Sequence, residues 1–285
     1  MLARAVETGG IPVAHVLSPH RRELRRWLGV RRSLVEARAN LVTTLRGLAR
    51  ERAVKLPGGD TASFAKNVRK KRCPTELQML LEPGLKTLEC IGPELERIES
   101  EIARLCASEP IVQLLTTAPG VALTVAACFV SVIDDAHRFR SAHEVESYLG
   151  LVPSEDTTGG RRRLGGISKH GNRYLRALLV QAAWSLWRTA DAEDPLRQWT
   201  DAVAERRGNR VAVIALARRM AGVLWAMWRD GHVYDSAPLA KCQAQGVRRA
   251  AQTLEFRAAA LERAARKRHF GRRSIGSSSP EVTTN

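Results

Sequence analysis

Two long stretches of the chain repeat leucine and isoleucine at helical intervals. Ser18-Pro19 opens the first stretch with an N-cap hydroxyl and a proline at the first helical position, and the pattern runs to about Arg52. The second stretch has spacings of three and four residues, close to a heptad seam. Its apolar positions are Leu81, Leu85, Leu88, Ile91, Leu95, Ile98, Ile102 and Leu105. The pattern predicts two long helices, forming an antiparallel hairpin, a dimerising coiled coil, or an ordinary helical pair within one domain.

Breaks in the pattern set the expected ends of these helices. Pro57-Gly58-Gly59-Asp60 ends the first helix, because proline and glycine do not continue a helix. Pro83 and Gly92-Pro93 fall inside the second stretch, so a kink or a restart is expected at each of them.

Beyond residue 109 the chain reads as shorter helices joined by turns. Asn172 is placed to cap a helix from Arg173 to about Thr189, and Gly231 to end another that begins after Gly208-Asn209. Two helices joined by a turn are predicted over 111–134, and a further helix over 137–151. A loop rich in Gly, Thr and Arg follows over 153–171, and a basic helix near 247–268 precedes a disordered tail. The predicted fold class is all-α.

The charge balance indicates a polyanionic partner. Of the 285 residues, 46 are Lys or Arg and 29 are Asp or Glu, a formal net charge of +17. Arg outnumbers Lys 38 to 8, which suits bidentate binding of phosphate, although a GC-rich genome would also favour arginine codons. The sequence therefore predicts nucleic-acid binding.

The strongest basic stretch covers the loop and the helix that follows it. Residues 161–188 contain seven cations and no acid: Arg161, Arg162, Arg163, Lys169, Arg173, Arg176 and Arg188. A glycine-rich loop leading into a helix N-terminus brings guanidinium groups and the helix dipole to one phosphate site. The loop also holds hydroxyls at Ser154, Thr157, Thr158 and Ser168, each a candidate nucleophile for a phosphodiester or an ordinary turn residue.

A second candidate DNA contact is the turn Pro119-Gly120-Val121-Ala122, which looks like a helix-hairpin-helix. In that motif a glycine turn lets backbone N–H groups approach phosphate. Ala122 stands where the second glycine is expected, so a plain helical corner is the competing interpretation.

Other classes of protein are excluded by composition. The five cysteines form no CxxC pair and the N-terminus has no apolar signal region, which predicts a cytoplasmic protein without a disulfide framework. The long apolar run 211–228 carries Arg218 and Arg219 at its centre, so no membrane association is expected. The acid pairs Asp134-Asp135 and Glu155-Asp156 lack a third ligand, and no metal site is predicted in this chain.

Residues 148–173, YLGLVPSEDTTGGRRRLGGISKHGNR, resemble the transposase domain of the IS110 (DEDD-type) family of insertion-sequence transposases. Ala182-Ala183-Trp184, the stretch 210–219, Trp225 and Asp230-Gly231 extend the resemblance over roughly 111–235. The upstream helices fit the coiled-coil connector of that family.

The resemblance implies DNA transposition. Such enzymes join a RuvC-like nuclease domain, whose four acids bind magnesium, to a transposase domain that supplies a serine nucleophile. It also implies homo-oligomers that assemble around DNA and an element-encoded bridge RNA. The implied domains are a RuvC-like remnant over 1–17, a connector over 18–108, the transposase domain over 109–235, and a basic tail over 236–285.

Two departures from the family pattern affect the expected activity. The nuclease acids lie N-terminal to the segment matched by residues 1–5, so a truncated transposase without cofactor of its own is expected. The family serine precedes the glycine matched by Gly159, and that place is Thr158 here. Thr158 is therefore the candidate nucleophile, and enzymatic activity is left open. The alternative is a non-catalytic DNA or RNA-binding remnant or accessory protein, with a structural coiled-coil adaptor as a third possibility.

Overall fold

A computed structural model describes residues 15–155 and 163–236, and it confirms the all-α fold class. The only strands in those ranges form one short hairpin inside the predicted loop. In chain order the elements are α1 (Pro19–Glu51), α2 (Phe64–Arg69), α3 (Thr75–Cys106), α4 (Pro110–Leu115), α5 (Leu123–Ile133), a 3-10 turn (Ala136–Arg138), α6 (Ala142–Tyr148), β1 (Pro153–Glu155), β2 (Leu164–Ile167), α7 (Arg173–Thr189), α8 (Pro195–Arg207) and α9 (Asn209–Asp230).

The two long helices, α1 and α3, pack as an antiparallel hairpin within one chain. Arg31 pairs with Glu99 near one end, and Arg52 pairs with Glu76 near the other. Between these pairs Gly84 lies against Leu45, where an added Cβ would come within 2.7 Å of a leucine methyl. The far part of the hairpin encloses its own core, and the fully or nearly fully buried members include Val42, Leu45, Phe64, Leu77, Leu81 and Leu85.

Of the kink or restart predicted in the second helix, the restart is excluded, because α3 is a single helix that contains both Pro83 and Pro93, and the kink stays a prediction. Each proline removes one backbone hydrogen bond and costs about 3 kcal/mol in a helix interior. A buried leucine or isoleucine contributes about 1.5–3 kcal/mol. Eight buried positions run along α3, so the apolar seam outweighs both interruptions.

Helix α5 is mostly apolar and is buried on every side. All nine residues from Val125 to Ile133 are buried. Helix α5 contacts α1, α3, α4 and α7, while α9 packs against α4, α6 and α7. A helix that is apolar all round must lie at the centre of a core, and α5 therefore positions the elements that carry the basic loop.

The first turn of α1 is tied to this core by two carboxylates. Asp134, at the end of α5, accepts hydrogen bonds from the hydroxyl and the backbone N–H of Ser18 and lies 2.7 Å from the ring of His15. Glu109 accepts a 2.9 Å hydrogen bond from Arg21, whose side chain is only 11% exposed. These contacts, the root pairs, join the start of the hairpin to the core.

Within the described ranges α9 alone is long and apolar enough to pass for a membrane span, and more than half of its most apolar window is buried in the fold. This is the pattern of a core helix, and by itself it is weak evidence for a membrane. The described residues divide into two compact units, one of residues 15–155, 163–190 and 200–234 and a second of residues 191–199, 235 and 236. The domain limits expected from the sequence, and the predicted tail helix beyond residue 236, remain predictions.

Candidate nucleic-acid interface

The basic loop is closed at its base by two glycines that pack directly on backbone. Gly150 has a φ of +69°, and an added Cβ would meet the carbonyl oxygen of His170 and lie 2.6 Å from its nitrogen. Gly171 has a φ of +86° and faces the carbonyl of Tyr148 in the same way. Only glycine combines these left-handed conformations with such close approach. The two ends of the loop are thereby held together at one place.

Between these glycines the loop forms an antiparallel β-hairpin. Pro153 pairs with Ile167, and Glu155 pairs with Leu164 after an irregularity in register. The hydroxyl of Ser154 donates a 3.0 Å hydrogen bond to the carbonyl of Gly166, so this candidate nucleophile is already used within the hairpin. Residues 156–162 connect the strands and lie outside the described residues, and with them the predicted site residues Thr158, Arg161 and Arg162.

Two of the predicted phosphate ligands, Lys169 and Arg173, lie exposed at the loop base, and a third, Arg163, is exposed at the opposite end of the hairpin. Arg163 precedes β2, Lys169 has a φ of +59° just before the closing glycine, and Arg173 begins α7. The side chain of Asn172 caps α7 by accepting from the N–H of Leu175 at 3.0 Å. Lys169 and Arg173 therefore lie near the positive end of the dipole of this 17-residue helix.

Arg176, a further predicted ligand, is half-buried and already makes hydrogen bonds. Its guanidinium donates to the carbonyls of Leu149 at 3.1 Å and His170 at 2.8 Å, one on each side of the loop base. Burial, followed by the charge of Arg173, lowers the pKa of Arg176. The geometry gives this side chain a role in holding the loop ends, and its contact with DNA remains a prediction.

Helix α1 brings arginines to the same helix end. Arg31 donates to the hydroxyl of Tyr174 at 3.2 Å, and the guanidinium carbon of Arg32 lies 5.6 Å from the centre of the Tyr174 ring. Burial raises the pKa of Tyr174. A cavity of about 240 Å³ opens beside this cluster, lined in part by Arg25, Arg32, Asn172 and Tyr174.

The sequence did not single out Arg25, Arg31 and Arg32 as site residues. Arg31 and Tyr174 are 143 residues apart in the chain, and no local pattern encodes that pairing. The sequence shows many arginines on the outer faces of the first helix, but their spacing does not separate phosphate ligands from ordinary surface residues.

Gly120 lies away from the loop base. It has a φ of +76°, and an added Cβ would come within 2.5 Å of the carbonyl oxygen of Ala182 and 2.9 Å of the nitrogen of Leu186 in α7. Ala182 is about 14 Å along the helix axis from Arg173. Close packing of the turn against α7 accounts for this glycine, and its predicted phosphate contact remains a prediction.

The acids in the described ranges do not suit a magnesium site. Those ranges contain no group of three or more His, Cys, Asp and Glu side chains that could hold a metal ion. Asp134 serves the root pairs, and Asp135 accepts from the backbone N–H of His137, which lowers the pKa of its carboxyl. Magnesium, implied by the sequence resemblance, therefore does not fit the described residues.

Residues 112–197 match a family model described as "Transposase IS116/IS110/IS902 family". This segment contains the whole loop, its closing glycines and α7.

Curated relatives extend the similarity to both sides of that segment. A "Probable family 20 transposase" of Pseudomonas aeruginosa is 33% identical over 70% of this chain and 61% of its own length. The "Transposase for insertion sequence element IS1111A" of Coxiella burnetii is 28% identical over 82% of this chain and 66% of its own length. An IS110 protein of Streptomyces coelicolor, named only as an uncharacterized 43.6 kDa protein, is 29% identical over 56% of this chain and 42% of its own length. The chain thus spans less than two thirds of the length of the curated relatives it matches.

Proposed function

Because this chain belongs, through residues 112–197, to the transposase IS116/IS110/IS902 family, we propose that it serves DNA transposition by an insertion-sequence transposase. Its part is to bind the phosphate backbone of DNA and to present a hydroxyl nucleophile. The observation that carries the proposal is the gathering of exposed cations around the N-terminus of α7, at the base of a clamped hairpin loop.

The cations fit phosphate chemistry in two respects. Lys169 and Arg173 lie where the loop enters α7, Arg163 lies at the far end of the hairpin, and Arg25 and Arg32 approach from α1. Arginine forks suit two phosphate oxygens at once, and a helix N-terminus adds unpaired N–H groups. Contacts to phosphate carry no base information, so binding through these groups should be largely independent of DNA sequence.

Thr158 is the proposed nucleophile, by its place in the family pattern. In the proposed step its Oγ1 forms a bond to phosphorus while the bond from phosphorus to the leaving oxygen breaks. The hydroxyl proton is lost through water, and the leaving oxygen gains one. The neighbouring cations would stabilise the negative charge that builds on the phosphoryl oxygens.

The carboxylates for metal-assisted cleavage have to come from outside the described residues, because those residues do not fit a magnesium site. On the resemblance alone, a bridge RNA and further copies of this chain are proposed as partners.

The DNA-binding part of the proposal is tested by salt dependence. Log affinity for duplex DNA should fall linearly with log salt, by about 0.9 for each phosphate contact. A triple variant, Arg163→Ala with Lys169→Ala and Arg173→Ala, should reduce the slope by up to about three. A control triple at Arg26, Arg97 and Arg104, which are exposed and ion-paired elsewhere, should leave the slope nearly unchanged. Equal slopes for both triples would refute the proposed interface.

The nucleophile is tested separately by trapping a covalent protein–DNA adduct on a denaturing gel, with and without an added RuvC-like nuclease domain. We expect an adduct only with that domain present, an increase with Thr158→Ser because a methyl group is removed, and none with Thr158→Ala. An adduct that persists in Thr158→Ala would exclude this nucleophile. Binding without any adduct in either arm would favour the non-catalytic nucleic-acid-binding protein.

A further inference from the structure

A second basic surface lies at the opposite end of the hairpin, in residues 46–73, here called the hairpin tip. These 28 residues contain nine cations, which are Arg46, Arg50, Arg52, Lys55, Lys66, Arg69, Lys70, Lys71 and Arg72, against only two acids, Glu51 and Asp60. The net charge of +7 equals that of the whole stretch 161–188. Nothing in the loop interface uses these residues.

Most of these cations lack a carboxylate partner. Arg52 pairs with Glu76, and Arg69 pairs with Glu82 and Glu89 on α3. Arg50, Lys55, Lys66, Lys70 and Arg72 are exposed and make no ion pair with the described residues. Exposed cations in excess of the available acids repel one another, and an approaching polyanion relieves that repulsion.

The tip also contains an open cavity of about 520 Å³ between the end of α1 and the loop after it. Arg46, Arg50 and Lys55 line it together with Ala53, Val54, Leu56 and Gly58, and no acid is among the lining residues. Arg46 is fixed in place, since it donates to the carbonyl of Pro57 at 3.2 Å and lies 5.0 Å from the centre of the Phe64 ring. The cavity is therefore lined by one rigid guanidinium and two exposed cations.

The end of α1 does not need these two cations for its own capping. The N–H groups of Arg52 and Val54 donate to the carbonyl of Ala49, and that of Ala53 donates to the carbonyl of Arg50. The carbonyls of Ala49 and Arg50 in the last turn are thus satisfied by backbone. Arg50 and Lys55 remain available to a ligand.

The tip is electrostatically separate from the loop interface. Arg50 lies about 27 Å along the helix axis from Arg32, roughly three Debye lengths at physiological salt. Between the hairpin tip and the loop interface, helix α3 is acidic, with six glutamates and two cations over residues 82–101. On α1 itself, Arg25, Arg32, Arg46 and Arg50 fall within an arc of about 60° at the usual 100° per residue, so the two basic surfaces share one side of that helix.

We infer that the hairpin tip is a second phosphate-binding surface, at which Arg46, Arg50 and Lys55 bind the phosphodiester backbone of a nucleic-acid duplex. This inference rests on the proposed function for the identity of the polyanion. The cavity is large enough for a phosphate group, and its lining contains these three cations and no acid. A duplex contacting both basic surfaces would lie along α1.

The test is a salt titration of full-length chain with a random-sequence DNA duplex and, separately, an RNA duplex of the same length. The double variant Arg50→Ala and Lys55→Ala removes no described contact to an acid and should reduce the slope of log affinity against log salt by about two. Arg46 is left unchanged because it supports the loop. The matched control, Lys86→Ala with Arg97→Ala, removes two exposed cations from the acidic stretch of α3 and should leave the slope nearly unchanged.

The variant of the loop interface separates this inference from the proposed function. A reduced slope in the tip variant with either duplex supports the inference, and comparison of the two duplexes identifies the preferred nucleic acid. An unchanged tip slope with a reduced loop slope overturns the inference and leaves the proposed function intact. If only the tip variant responds, the proposed loop interface is wrong and the tip surface stands. Equal melting temperatures for all the variants ensure that the slopes report binding.

Discussion

Replacing Gly150 by alanine should release the base of the basic loop. A left-handed conformation costs a residue with a Cβ about 1–2 kcal/mol. The new Cβ would also lie 2.6 Å from the nitrogen and 2.8 Å from the carbonyl carbon of His170, where carbon contacts are normally about 3.5–4.0 Å. The backbone therefore has to separate by about 1 Å to make room.

That separation affects two hydrogen bonds at the same point. Lys169 N–H donates to the carbonyl of Gly150 at 3.1 Å, and Arg176 donates to the carbonyl of His170 at 2.8 Å. Each hydrogen bond contributes about 1 kcal/mol. The loss of both bonds and the conformational cost together should lower the free energy of unfolding by about 3–4 kcal/mol. This is an upper limit on the loss in global stability, because a loop that detaches locally loses no more than its docking energy.

Gly166→Ala in β2 is the matched control, since Gly166 has no atom within 4 Å of an added Cβ. Denaturant unfolding gives the difference in stability, and hydrogen exchange of the amides of Ser168 and Lys169 reports the opening of the loop. The affinity for duplex DNA should fall with Gly150→Ala and not with Gly166→Ala. Equal stability and equal exchange in the two variants would refute the account of this glycine.

Two further predictions address the core. Ile98 is 3% exposed in the seam of α3. The variant Ile98→Asp buries an unpaired charge and should lower the free energy of unfolding by several kcal/mol. The control variant Ser100→Asp, on the exposed side of α3, should change the free energy of unfolding by about 0.5 kcal/mol. Equal melting temperatures would contradict the buried seam. Burial raises the pKa of the Cys128 thiol to about 12. Iodoacetamide at mildly alkaline pH should therefore label exposed Cys90 in the native chain and Cys128 only after unfolding. Rapid labelling of Cys128 in the native chain would refute its burial.

Features set by neighbouring residues could be predicted from the sequence. Ser18 and Asn172 cap α1 and α7, and Gly231 ends α9 in the left-handed conformation, as expected. Capping depends on hydrogen bonds between residues two to four apart, which the sequence displays directly. The hydrophobic seam of α3 was visible for the same reason.

Features set by distant contacts could not be predicted. Asp134 was considered from the sequence only as a metal ligand, yet it contacts Ser18, 116 residues away. The β-hairpin was read as loop because its strands contain only three and four residues in a stretch rich in glycine and arginine. Helix α8 was also missed, since its mostly polar residues show little apolar periodicity. In each case tertiary packing, absent from any local pattern, decides the outcome.

The root pairs hold one end of a long helix, so a small change of angle there moves the other end by several ångströms. Helix α1 has 33 residues and is about 50 Å long. A rotation of about 5° where Asp134 and Glu109 hold its first turn would move the far end by about 4 Å, comparable to the rise of one base pair. Because that movement is across the axis of α1, it would change the alignment of the tip with the loop interface and leave the distance between them nearly unchanged.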